Sequence, residues 1–211
     1  MLRLLALLLL LLIPACAPAP SFDAFSRNKL AVLARNVETA RDSQKAATDQ
    51  LVSGVDTIKN DTAEGADPAH AYDLARRTLA TSESRVRTAH NRIKVVARNG
   101  QDFFNQWLKE TTEYADPSLK ESSRQNRLKL KAQFDSVIDK MQAADQATEP
   151  VLTAIRDQML FLKHHRNSPT VPPRPEHAAD PARAVDALTN KTAAAAAAAD
   201  EFTGSIQASP K

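Results

Sequence analysis

Glycine is scarce in this chain, with 4 residues in 211. The phosphate-cradling pattern G-x-x-x-x-G-K-[ST] and the nucleophile elbow G-x-S-x-G both need closely spaced glycines, and neither occurs. The metalloprotease pattern H-E-x-x-H is absent as well. Paired carboxylates exist, but on heptad rods they fall on solvent faces and not in pockets. No enzymatic activity and no cofactor are expected. Aromatic residues make up 5% of the chain, so any core must be built mainly from aliphatic side chains and alanine. Cys16 is the only cysteine, which excludes an intramolecular disulfide. The longest apolar run covers residues 4–13, short of the roughly 20 residues that span a bilayer. Charge of one sign is also missing: 28 Lys and Arg against 25 Asp and Glu leave a net +3. That excess is too small to suggest nucleic acid as a partner.

What is present falls into three parts. Residues 1–15 combine Arg3, the apolar run and small residues at its end, the pattern of a secretory signal. Cleavage after Ala17 or Ala19 would put Pro18 or Pro20 just after the scissile bond, where proline holds the backbone badly for a protease. Cleavage before Cys16 avoids this. The run Ile13-Pro14-Ala15-Cys16 resembles the bacterial lipobox, with Pro14 departing from the usual small residue. The resemblance implies a lipid on Cys16. Acylation would also cap an otherwise reactive exported thiol. Ala17 is not the Asp of an inner-membrane retention signal, which implies the periplasmic face of an outer membrane. The competing reading is an ordinary signal peptide and a soluble periplasmic protein. Residues 16–21 then form a short tether.

Residues 22–166 carry sustained heptads. Leu30, Leu33, Val37, Ala40, Gln44, Ala47, Leu51, Gly54 and Ile58 alternate spacings of three and four, the seam of a coiled-coil helix. Asp67-Pro68 and Asp116-Pro117 each read as an N-cap followed by proline at the first helical position. The second helix runs to about Tyr114, with a seam from Tyr72 to Trp107. The third has its seam from Leu130 to Leu162, and Pro150 within it should kink the rod. Residues 167–181 form a linker; five prolines lie between Ser168 and Pro181. Residues 182–211 hold an alanine-rich helix, from about Ala182 to Ile206, and a tail. The fold class expected is all-α: a long antiparallel three-helix coiled-coil bundle, with an additional C-terminal helix after the Pro-rich linker. Whether that last helix docks is left open.

Charge suggests a register for helices two and three. A basic stretch from Arg76 to Arg98 would face an acidic one from Asp135 to Glu149, and the signs reverse near the Asp116 turn. Each such surface pair is worth about 0–1 kcal/mol, so only their sum could favour the antiparallel register. The basic stripe is expected to be a solvated or bundle-paired face and not a ligand site. Antiparallel rods of about 65 Å would put the tether near the Asp116 turn.

Two groups of residues are candidates for more than packing. Tyr114, near that turn, suits a headgroup region, whereas Phe103 and Trp107 fall on the core seam. His70, His164, His165 and His177 gather at the opposite end and could ligate a metal, although adjacent His164 and His165 point in different directions and make a poor chelate.

Two stretches carry a family resemblance. Lys29 to Gln50 and Glu149 to Asn167, the latter with Glu-Pro-Val-Leu, Arg-Asp-Gln and Leu-Lys-His in order, resemble an uncharacterised bacterial family known as a domain of unknown function. Its members are exported coiled-coil helical proteins. The resemblance implies no catalytic residues. The expected function is that of a non-enzymatic envelope lipoprotein, a helical scaffold, spacer or partner-binding module. Its partners would be the membrane, through the lipid, and a protein or a second copy, through helix faces. The alternative is a periplasmic module binding metal or an anionic ligand at the His-rich end.

Overall fold

The computed structural model describes residues 22–63, 65–173 and 181–207, with side chains from Asn28 onward. Among these residues there are five helices and no strands: α1 (Phe22–Asp61), α2 (Pro68–Thr111), α3 (Pro117–Gln146), α4 (Thr148–His164) and α5 (Pro181–Gln207). The all-α class and a C-terminal helix after a linker both hold.

Caps and prolines set the boundaries. Asp67 accepts a hydrogen bond from Ala69 N at 3.0 Å. Asp116 accepts from Ser118 N at 2.7 Å and Leu119 N at 3.3 Å. In both cases a carboxylate satisfies amides that the first turn leaves without an intrahelical partner, and proline follows at N1 where no N–H is needed. Gly65 turns the chain between α1 and α2 at φ +87°, a conformation that costs glycine little. The expected kink appears as a break. Pro150 has no N–H to donate to Gln146 O, and the ladder fails at Ala147, whose N–H bonds to Ala144 O at 3.1 Å in a tighter turn. α3 and α4 therefore make one interrupted rod.

Four rods result, each antiparallel to the next. Arg92 hydrogen-bonds Ser43, linking α2 to α1. Trp107 Nε1 donates to Ser123 Oγ at 3.0 Å, and Arg156 pairs with Glu83 at 3.2 Å, linking α2 to the α3–α4 rod. Thr48 and Thr192 hydroxyls meet at 2.9 Å, and Arg41 pairs with Asp200, closing α5 onto α1. The C-terminal helix is thus a fourth rod packed on the other three, which answers the question of docking that the sequence left open. The reason is its own seam: Leu188, Thr192, Ala195, Ala199 and Phe202 are buried between α1 and the α3–α4 rod. Small alanine faces let it approach closely.

The seams read from the sequence form the core. Val37, Ala40, Leu51, Val137, Met141, Val151, Leu162 and Leu188 are fully enclosed. The charge argument for the register of α2 against α3 fares differently. The rods are antiparallel, but the ion pairs recorded between them are His90–Asp145 at 2.6 Å and Glu83–Arg156. The second joins the minority signs of the two blocks. Packing along the seam, with Phe134 fitted over Gly100, sets the register instead.

Candidate functional site

The two ends of the rod differ in construction. One end gathers the start of α1, the α2–α3 turn and the end of α5: Lys29 Nζ donates to Gln106 Oε1 at 2.8 Å, and Ser205 Oγ donates to Gln133 Oε1 at 3.1 Å. α5 stops at Gln207, so among the described residues no fourth rod lies beside the first turns of α3. Leu119 lies on the face of α3 that carries Phe134 further along, yet it is 54% exposed for this reason. Leu108 on α2 is 45% exposed, and Tyr114 is half-buried at the turn. Trp107 and Phe103 are half-buried, while Phe104, off the sequence seam, takes the enclosed position at 1% exposure. α2 is rotated there so that Phe104 packs on Phe134, with ring centroids 5.6 Å apart. Cys16 lies outside the described residues.

The other end gathers the α1–α2 turn, the end of α4 and the start of α5. Of the histidines expected there, the described His70, His164 and His165 form no metal-holding group. His70 Nε2 lies 3.3 Å from Asp61 Oδ2. His165 turns its Nδ1 back to Phe161 O at 2.8 Å and rests on the Phe161 ring, with centroids 4.5 Å apart. His164 is exposed, and His177 lies outside the described residues. Among the described residues no three His, Cys, Asp or Glu side chains form a group able to hold a metal ion.

This end instead holds a cleft of about 730 Å³, within the usual size range of small-molecule sites, roughly 300–1,000 Å³. Its floor is the buried Ile58 and Ile155, with half-buried Val55 and Val185. Residues 170–173 form one wall, held by Val171 N donating to Ala66 O at 3.1 Å. Phe161 closes the side toward α4. Asp56, Lys59 and Asp186 stand exposed around the opening. None of these was singled out from the sequence. Asp56 and Lys59 lie off the heptad seam of α1, and nothing in the linear pattern brings Asp186 to them.

Among the described residues no helix is long and apolar enough to cross a membrane. No curated protein and no solved structure matches the chain. One family, described as a protein of unknown function (DUF2959), matches residues 21–206, a span that takes in all five helices but for Gln207. The chain belongs to the DUF2959 family.

Proposed function

We propose that the chain is a non-enzymatic lipoprotein of the cell envelope, held to the periplasmic face of the outer membrane by a lipid on Cys16, with its bundle acting as a scaffold or partner-binding rod. The observation that carries this reading is the character of the end from which α1 departs. Leu108, Leu119 and Tyr114 present apolar and aromatic surface there. Lys109 and Lys120 stand beside them in sequence. Apolar, aromatic and basic groups together suit a headgroup layer. A tether of residues 16–21 would deliver the lipid to this same end. Mass spectrometry of the N-terminal peptide from isolated membranes tests the anchor. An acylated Cys16 as first residue is expected; an unmodified N-terminus would remove the anchor and the orientation with it. Crosslinking in native envelopes tests the scaffold, and recovery of monomer alone would count against it.

A second reading is ligand binding at the far end. The cleft favours it; the separated histidines do not. Metal titration with His164→Ala and His165→Ala controls addresses the metal version, which is lost if binding does not exceed a buffer blank.

A further inference from the structure

The cleft at the far end lies where three helices end or begin. α1 ends at Asp61, α4 ends at His164 and α5 begins at Pro181, close to one level. Val185, in the second turn of α5, already lines the cleft with Val55 and Ile155. Beyond it Pro181 and Ala182, the first residues of α5, extend the lining toward the corner between α1 and α4. Residues 170–173 cross it as a thin wall, with Val171 buried.

Its interior favours an apolar body. Most of its lining is apolar, and apolar walls offer water few hydrogen-bonding partners. Replacing such water with a hydrocarbon chain is favourable. The opening then selects the head. Among the described residues the charged side chains lining it are Asp56 from α1, Asp186 from α5 and Lys59, two negative against one positive. A carboxylate or phosphate head would meet like charge from two helices, whereas an ammonium head would be attracted.

We infer that this cleft binds a cationic amphiphile, with its aliphatic chain against Ile58, Ile155, Val185 and Phe161 and its ammonium head at the rim by Asp56 and Asp186. The inference rests on the second reading above, that the far end is a ligand site. It assigns the ligand's chemical class.

Isothermal titration of the purified chain with three ten-carbon probes below their micelle concentrations tests it: decyltrimethylammonium, decanoate and decyl maltoside. The ammonium probe should bind about tenfold more tightly than decanoate, from one to two carboxylates at contact distance in a wet rim. Asp56→Asn with Asp186→Asn should remove most of that preference while leaving chain binding in place. Lys59→Glu, an exposed change that leaves the core intact, should increase it. Gln158→Trp, which fills the cleft, should abolish binding of all three probes, with folding checked by circular dichroism. Decanoate binding as tightly as the ammonium probe would overturn the cationic assignment and leave the ligand site standing. Failure of all three probes would overturn both. Binding that survives Gln158→Trp, or a dimer that this variant dissociates, would assign the probes or the cleft elsewhere and overturn the inference.

Discussion

Gly100 gives the sharpest test of how the rods are held in register. It is a glycine inside the 44-residue α2, where alanine would ordinarily gain about 1 kcal/mol of helix propensity. The expected outcome of Gly100→Ala is nevertheless destabilisation. A Cβ at this position would lie within 2.8 Å of three Phe134 ring atoms. The ring cannot retreat easily. It is 3% exposed and sits between Phe104 and Phe202, each with its centroid 5.6 Å away. Overpacking a tight core costs about 1–3 kcal/mol, and a boxed aromatic ring belongs at or above the upper end of that range. The net loss is then about 2 kcal/mol, or a fall in Tm of roughly 4–8 °C for a chain of this size. Urea and thermal unfolding followed at 222 nm measure it. Gly204→Ala is the matched control: nothing lies within 4 Å of its Cβ, so it should be neutral or raise stability by up to about 1 kcal/mol. Adding Phe134→Leu to Gly100→Ala should recover part of the loss, giving a non-additive cycle. A Gly100→Ala protein as stable as the parent would refute the idea that Phe134 seated on Gly100 locks α2 against α3.

Phe202→Ala should cost about 3–5 kcal/mol and release α5, seen as faster hydrogen exchange and proteolysis confined to residues 181–207. Gln44 is buried, and its Nε2 donates to Met141 O at 2.8 Å. Because that carbonyl lies inside α3, Gln44→Leu should change stability by less than about 1.5 kcal/mol in equilibrium unfolding, whereas Gln44→Ala should cost more by opening a cavity. Arg124, hydrogen-bonded to Glu121 at 2.7 and 2.8 Å, holds the Glu121 carboxyl down to about 2. Any stability from this depressed group is present above its ordinary value of 4.5 and is lost as pH falls toward 2. An NMR titration of Glu121 should give that low midpoint, and Arg124→Ala should return it toward 4.5.

The linear sequence was sufficient for everything that depends on local chemistry. Heptad spacing identified Val37, Leu51, Val137 and Leu188 as core, because a helix repeats its face every three or four residues whatever lies opposite. Asp67-Pro68 and Asp116-Pro117 marked helix starts, since a cap acts on amides two and three residues away. Pro150 announced an interruption, although the break itself falls at Ala147, where the freed backbone relaxes. Only the tertiary structure decided which faces meet. A proline-rich linker does not encode whether the helix beyond it docks; Phe202 and Leu188 decide that by fitting the groove between α1 and the α3–α4 rod. Of the imidazoles expected at one end, His70 and His165 make separate contacts, because side-chain direction on each helix, not proximity in level, determines what can share a ligand. The cleft was invisible for the same reason. It lies where the start of α5 meets the ends of α1 and α4, an arrangement that exists only once the rods lie side by side.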